Sequence, residues 1–149
     1  MNRIHRKVEY ALMSLKHMRA KAPGERSTVK EIATAYKMPP DMTARVLQTL
    51  SQHGLLDAEQ GVRGGYYIAK DLQHVSLHDL MEMLMGPFAV ARCLGASEEG
   101  QCDMVNSCNI VSPIQSLNRK IGEFYKSLSL AELIESKPQR VSERRAEAT

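Results

Sequence analysis

The chain has 149 residues, of which 43% are hydrophobic, 5% are aromatic and none is tryptophan, and its formal net charge is +3 with a pI near 8.8. That length suits one domain with an appended helix, its core must consist mainly of aliphatic side chains and methionine, and its mild basicity permits an anionic partner without requiring one. Because no apolar run is long enough to cross a membrane and the N-terminal segment lacks the apolar region of a secretion signal, we expect a cytoplasmic protein with no membrane partner.

Two helices are predicted at the start of the chain. From Asn2 to about Ala20, apolar residues recur at helical spacing and form one stripe, with His5 at its edge and Glu9 well off it. Thr28 and Glu31 form a capping-box signature, which predicts that a second, short helix begins after Thr28.

A third helix and a hairpin follow. The helix begins near Pro39-Pro40 and ends before Gly54, since proline suits a first turn and glycine a C-terminal cap. Its periodicity predicts an inward face of Thr43, Val46, Leu47 and Leu50, and an outward face of Asp41, Arg45, Gln48 and Gln52 with Thr49 at the border. Two β-like runs, Leu55–Glu59 and Tyr66–Ala69, flank a glycine-rich tip. This order of elements predicts a winged helix-turn-helix.

The cysteines all lie in one connecting segment. Cys93, Cys102 and Cys108 are the only cysteines, and the segment that carries them has neither a helical nor a strand period. It follows a helix predicted from Ser76 to Met85. Ordered loops of this length are uncommon unless something ties them down, and three thiolates are soft ligands for a metal or an iron–sulfur cluster. In a reducing compartment, ligands or redox sensors are more common roles than structural disulfides.

The last part of the chain predicts a dimer helix. From Pro113 onward, Ile114, Leu117, Ile121, Phe124 and Leu128 alternate three and four residues apart, as in a coiled coil that pairs with its copy in a second subunit. A short helix over SLAELIE follows, and the charged tail from Lys137 is expected to be disordered. The predicted fold is therefore mainly α with a small β wing and a long C-terminal dimerisation helix. Its parts are a DNA-binding domain (1–85), a cysteine-bearing loop (86–110), dimerisation and terminal helices (111–136) and a tail (137–149).

These motifs together resemble one family. The first helix carries Tyr10-Ala11-Leu12, the LxxHGLL run spans Leu50–Leu56, the wing Gly61–Tyr66 contains GGY, and the clustered cysteines and SLAEL complete the set. From Arg3 to Glu135 the chain resembles the IscR/NsrR/RirA-type bacterial transcription regulators of the Rrf-two superfamily. The resemblance implies a homodimer that binds a palindromic operator in double-stranded DNA through two winged helices, and three cysteines that hold an iron–sulfur cluster.

Four positions separate the branches of that family. One branch has a histidine ligand where this chain has Val111, and another takes a carboxylate from the first helix of the partner subunit, where this chain has Glu9. An arginine usual near the start of the wing is replaced by Gln60, and an acidic residue in the recognition helix by Ala44. The metal ligands and the operator of this chain therefore need not match those of the histidine branch.

The DNA contacts can be assigned from side-chain chemistry. Arg45 suits guanine O6 and N7, Gln48 suits adenine N6 and N7, and Asp41 can accept from cytosine N4. Arg63 at the wing tip would enter the minor groove or neutralise phosphate, and helix-start residues would contact phosphates. The candidate contacts are Thr28, Lys30, Asp41, Arg45, Gln48, Thr49, Gln52, Arg63 and Gly64. The alternative is a solvated polar helix face beside an ordinary hairpin.

The metal ligands expected are Cys93, Cys102 and Cys108. Clusters commonly take four protein ligands, so a fourth must be weaker or external. We expect Glu9 of the partner subunit, with His5 as the second choice. An oxygen ligand leaves one iron open to exchange, oxidation or nitric oxide, which favours a 4Fe-4S cluster over a 2Fe-2S cluster. Alternatives are buried or redox-active thiols without a cluster, a zinc site, and a Glu9 that only pairs with a nearby cation.

The expected function is that of a DNA-binding transcriptional regulator switched by its cluster in response to iron, cluster supply, nitric oxide or redox stress. The alternative is a thiol-redox or zinc-dependent winged-helix regulator. A winged-helix module that binds protein instead of DNA would show little salt dependence. The histidines are scattered and interpreted as surface or boundary residues, and no nucleophile elbow, phosphate loop or carboxylate pair is present, so neither catalysis nor a small-molecule substrate is expected.

Overall fold

The computed structural model describes residues 3–95 and 102–136. Within them, helices α1 to α3 precede a two-stranded sheet, and helices α4 to α6 follow it. The bounds are α1 Arg6–Arg19, α2 Val29–Tyr36, α3 Pro40–Gln52, β1 Leu56–Glu59, β2 Gly65–Ile68, α4 Leu77–Met85, α5 Val111–Ser127 and α6 Leu130–Glu135. Short 3₁₀ turns lie at Leu72–His74 and Arg92–Leu94.

Local sequence explains where these helices begin. Thr28 Oγ1 accepts a hydrogen bond from Glu31 N while the Glu31 carboxylate accepts one from Thr28 N, and Ser76 and Asp79 repeat the arrangement ahead of α4. These reciprocal bonds satisfy N–H groups that a helix leaves unpaired. Gly86 ends α4 with a φ of 83°, a conformation that glycine adopts most readily.

The core lies between α1, α3, α4 and α6. Each helix contributes one apolar stripe, and the innermost side chains are fully buried: Leu15, Leu47, Leu50, Leu80 and Leu130. Burial of one such side chain stabilises the fold by roughly 1.5–3 kcal/mol. The short helix α6 is part of this core, and the Arg19–Glu135 ion pair links its end to α1.

The wing is a tight antiparallel hairpin. Strands β1 and β2 pair from Leu56 with Ile68 to Glu59 with Gly65. A Cβ at Gly64 would lie 2.2 Å from the Glu59 carbonyl oxygen, so a larger residue cannot occupy the turn without rearrangement. Ser27, just ahead of α2, bridges to Tyr66 and fixes the wing to the helix-turn-helix.

The predicted fold class is confirmed, with differences at the ends of elements. The first helix was expected from Asn2 but begins at Arg6, because His5 Nδ1 accepts from Lys7 N and caps it. The second strand begins at Gly65, since that glycine pairs with Glu59. The expected disordered tail, 137–149, lies outside the described residues, as does part of the cysteine-bearing loop.

One histidine was misplaced by sequence reasoning. His78 is only 7% exposed, whereas a surface or boundary position was expected. It lies against Glu82, Phe88 and Gly122, and the last two are distant in sequence. Within the described ranges, no helix is long and apolar enough to cross a membrane.

Candidate nucleic-acid interface and cysteine segment

Helix α3 separates an apolar face from a polar one as its periodicity predicts. The four residues expected to face inward are all buried. Those expected to face outward, Asp41, Arg45, Gln48 and Gln52, are all exposed, and Thr49 is half-buried at the border. The exposed face carries both donors and acceptors, which reading of base edges in a major groove requires.

The start of α2 offers hydrogen-bond donors beside this face. The Thr28 hydroxyl oxygen accepts from Glu31 N at 3.1 Å, and its proton remains able to donate to a phosphate. Lys30 is exposed in the first turn, where the helix dipole also favours an anion. Both residues therefore suit phosphate contacts.

The wing presents Arg63 at an exposed tip beside a fully exposed Val62. Its base is braced by Arg26, whose guanidinium lies 4.2 Å from the centre of the Tyr67 ring and 2.5 Å from the Glu59 carboxylate. Tyr67 in turn donates to Asp57 at 2.9 Å, and this hydrogen bond raises the pKa of the Tyr67 phenol. The brace holds Arg63 at a fixed end of the hairpin.

A polar network that sequence reasoning missed joins α1 to α2. His17 lies 2.7 Å from the Tyr36 hydroxyl through Nδ1 and 3.0 Å from the Glu31 carboxylate through Nε2. Lys21 approaches the same carboxylate at 2.5 Å. The Lys21 hydrogen bond, with smaller contributions from His17 and Thr28, holds the pKa of Glu31 below its ordinary value. Because Glu31 also caps α2, the network fixes the angle between the two helices.

The cysteines are free and half-buried. Cys93 lies in the 3₁₀ turn Arg92–Leu94, and Cys102 and Cys108 flank a compact turn in which Cys102 O accepts from Val105 N at 3.1 Å. Across residues 3–95 and 102–136, no three Cys, His, Asp or Glu side chains are close enough together to hold a metal ion. Three thiols are chemically suitable ligands for iron or zinc, but within the described residues of one chain they are not close enough together to bind one ion.

The candidate fourth ligands are engaged in local contacts. The Glu9 carboxylate is 2.8 Å from Arg6, three residues earlier on α1, and about two fifths of the Glu9 side chain is exposed. The pairing with a nearby cation, which was the alternative role for Glu9, is therefore present. An exposed pair of this kind contributes less than about 1 kcal/mol, so Glu9 remains able to exchange Arg6 for another partner. His5 caps α1.

The first residues after α4 are anchored. Phe88 N donates to the Glu82 carboxylate at 3.3 Å, and the Phe88 ring packs edge-on against Tyr125 with centroids 5.5 Å apart. Val90 N donates to Asn118 Oδ1 at 2.9 Å. These contacts attach the start of the cysteine-bearing loop to both α4 and α5.

One side of α5 is apolar and uncovered. Leu117 is 45% exposed and Phe124 is 59% exposed, and Ile114, Ile121 and Leu128 are half-buried on the same stripe. Apolar surface of this extent in a regular seam is typical of a helix that pairs with another.

The profile of the Rrf2 family, described as iron-dependent transcriptional regulators, matches residues 4–136. The chain belongs to the Rrf2 family. The resemblance predicted from its motifs is thereby confirmed, and the regulators of this family are not enzymes.

Relatives of this Rrf2 chain extend over most of its length. Protein aau3 of Rhizobium meliloti is 28% identical over 92% of this chain and 88% of its own. The regulator NsrR of Bacillus subtilis is 25% identical over 77% of this chain and 73% of its own. The solved structure of CymR, the global cysteine regulator of B. subtilis, covers 93% of this chain and all of its own with a TM-score of 0.69 at 20% identity, which establishes the shared fold.

Proposed function

We propose that this Rrf2 regulator binds a palindromic operator as a homodimer and that an iron–sulfur cluster on its cysteine-bearing loop switches its operator affinity. The observation that carries the proposal is the combination of an exposed reading face on α3 with three free thiols in one loop of the same chain. The family match supplies the transcriptional role.

The direct base contacts in the major groove are made by Arg45, Gln48 and Asp41. Gln52 and Thr49 lie at the edge of the same face. Thr28, Lys30 and Arg63 contact phosphates or the minor groove, and Gly64 lets the wing backbone approach the DNA. The exposure of the outward side chains supports this division of roles. Phosphate contacts give affinity that falls with salt, whereas base contacts give selectivity.

The homodimer would form through the apolar stripe of α5. A two-fold symmetric dimer would present two copies of α3, as a palindromic site requires. Phe124→Asp, which places a charge in the seam, should convert the dimer to monomer in analytical ultracentrifugation, whereas Gln115→Asp, at an exposed position on the opposite side of α5, should not. A dimer that survives Phe124→Asp would move the interface elsewhere.

The ligands proposed for the cluster are Cys93, Cys102 and Cys108, with Glu9 of the partner subunit as the fourth. A 4Fe-4S cluster is preferred because an oxygen ligand leaves one iron exchangeable. Since the described side chains do not converge in one chain, binding of a cluster would require the three cysteines to come closer together.

Anchoring of the loop supports a route from the cysteines to the DNA. Phe88 and Val90 attach its start to α4 and α5, and Cys108 lies three residues before α5 begins. Movement of the cysteines therefore pulls on helices that pack against the core and form the dimer seam. A small change in the spacing of the two α3 helices alters operator affinity because half-sites have a fixed separation.

The proposal is tested by anaerobic purification followed by an absorption spectrum and by iron and sulfide analysis. Visible absorbance with iron and sulfide in equal amounts is expected, and both should be lost in Cys93→Ser and kept in Ser112→Ala, a control in the first turn of α5. A colourless protein holding stoichiometric zinc would contradict the cluster.

A thiol switch without a cluster is the second candidate. It is favoured by the half-buried, unpaired state of the three cysteines in a chain where the described side chains form no metal site. Treatment of the metal-free protein with peroxide separates the two. A thiol switch predicts an altered operator affinity that dithiothreitol restores, and a cluster switch predicts no change.

A further inference from the structure

A cavity of about 180 Å³ lies beside the DNA-reading face of α3. It is partly open to solvent and lies between three helices, and we call it the Lys7 cavity. Its lining consists of Lys7 from α1, Met42, Arg45, Val46 and Thr49 from α3, and Leu84 from α4. It therefore joins the first helix, the proposed reading helix and the helix that leads into the cysteine-bearing loop.

The lining combines an apolar floor with uncompensated positive charge. Val46 is 2% exposed, and Met42 and Leu84 are half-buried. No acidic residue lines the cavity. Across residues 3–95 and 102–136, the side chains of Lys7 and Arg45 have neither a hydrogen-bond partner nor an ion-pair partner.

Two half-buried cations elsewhere in the fold are neutralised, by contrast. Lys21 pairs with Glu31, and Arg26 pairs with Glu59. Two unpaired cations near an apolar floor attract an anion with a short apolar tail, since the tail covers the floor while the charge remains at the rim.

We propose that the Lys7 cavity binds a small aliphatic carboxylate as an effector. The size follows from the volume, because one water occupies roughly 30 Å³ of liquid and the cavity therefore holds about six non-hydrogen atoms. That number matches a four-carbon carboxylate. The Arg45 guanidinium can hold such a group through two parallel hydrogen bonds, and Lys7 adds a point charge. The Thr49 hydroxyl already donates its hydrogen to Arg45 O at 2.9 Å and therefore does not donate to the carboxylate. The two cations alone hold the charge of the carboxylate.

The consequence for DNA follows from the double use of Arg45. A guanidinium that holds a carboxylate cannot also make a bidentate contact to guanine, so the effector weakens operator binding. This consequence rests on the proposed role of Arg45 in base reading, whereas binding to the cavity does not.

The first test is calorimetric titration of the full-length protein with butyrate in the absence of DNA, at ionic strength matched with chloride. Butyrate should bind at least tenfold more tightly than butyramide, the neutral molecule of nearly the same shape. Lys7→Gln should weaken butyrate binding about tenfold, while Lys70→Gln, a lysine on another surface, should leave it unchanged. Equal affinity for butyrate and butyramide would overturn the proposal.

A second variant tests the cavity itself. Leu84→Phe fills the floor without altering charge and should abolish butyrate binding. Lys7→Gln changes a half-buried side chain at the rim of the cavity and provides the test even if Leu84→Phe does not fold. Butyrate affinity that is unchanged in Lys7→Gln would place butyrate elsewhere and refute the site.

The effect on DNA is measured separately with an operator selected from random-sequence duplexes. Saturating butyrate should weaken operator binding several-fold in the native protein and not in Arg45→Ala. Butyrate that binds but leaves operator affinity unchanged would refute the competition at Arg45. If no duplex is selected at all, the proposed function fails, and the titration without DNA still decides the cavity.

Discussion

The winged head and the cysteine-bearing loop are held in place by different kinds of contact. The head has a continuous core of buried leucines, capped helices and a wing braced at its base. The described part of the loop is attached at its start through Phe88 and Val90, while its three cysteines are half-buried and free. The head is therefore held together by packing, whereas in the described part of the loop little of the fold depends on the positions of the thiols, as the proposed switch requires.

The largest expected effect on the free energy of unfolding comes from a substitution in the core of the head. Leu50→Ala removes a fully buried side chain and should lower the free energy of unfolding by about 2–5 kcal/mol. Cys108→Ser in the metal-free protein should change it by less than about 0.5 kcal/mol, since no packed core depends on that thiol. Chemical denaturation checks both variants. Comparable losses of unfolding free energy in the two variants would show that the loop is part of the folding core, and the proposed difference between head and loop would then be wrong.

The next prediction compares one glycine from each region. Gly64→Ala places a Cβ 2.2 Å from a carbonyl oxygen in the wing, whereas the nearest atom to a Cβ at Gly95 in the loop is 3.5 Å away. Gly64→Ala should cost about 1–3 kcal/mol of stability and weaken DNA binding, and Gly95→Ala should be neutral. Thermal unfolding measures the difference. A neutral Gly64→Ala would mean that the wing is not rigid.

How much of this could be predicted from sequence depends on the distance between the residues involved. The two faces of α3 follow from a helical period, and the start of α2 follows from Thr28 and Glu31 three residues apart. The attachment of Val90 to Asn118 spans 28 residues and leaves no local pattern. Such contacts are set by how helices pack and could not be predicted from periodicity.

Two further features depend on long-range packing for the same reason. The burial of His78 depends on Phe88 and Gly122, and the Lys7 cavity depends on three helices meeting. The grouping of the three cysteines in one segment can be read directly from the sequence. The arrangement of the proposed ligands cannot, because the described residues of one chain do not bring the thiols together.

Mutations can separate the proposed base contacts of the head from its proposed phosphate contacts. Arg45→Ala should cost about 1–3 kcal/mol of operator binding and relax selectivity at one base pair. Lys30→Ala should weaken binding to all sequences and reduce the slope of log affinity against log salt by about 1. Competition binding to single-base variants of the selected operator distinguishes them. A uniform loss for Arg45→Ala would make it a phosphate contact.

The smallest expected effect concerns pH. The folded state lowers the pKa of Glu31, chiefly through its hydrogen bond with Lys21, so the carboxylate stabilises the fold above its ordinary pKa of 4.5. That contribution is lost as the pH falls through the lowered value. Since Glu31 is more than a third exposed, it amounts to less than about 1 kcal/mol.

Two variants check the role of Glu31. Glu31→Gln should flatten the decline of the thermal midpoint between about pH 5 and pH 3, and Lys21→Gln should flatten it to a similar degree although the carboxylate is retained. An unchanged slope in Lys21→Gln would show that the lysine does not set the Glu31 pKa.

The proposed function requires a cluster on the cysteine-bearing loop to control the affinity of the winged head for DNA. The most direct measurement is the dissociation constant for the selected operator, determined anaerobically for the loaded protein, the protein stripped of iron by a chelator, and Cys93→Ser. The account predicts that the loaded and stripped proteins differ by at least tenfold and that Cys93→Ser does not respond to the chelator. Equal affinities for the loaded and stripped proteins would contradict it.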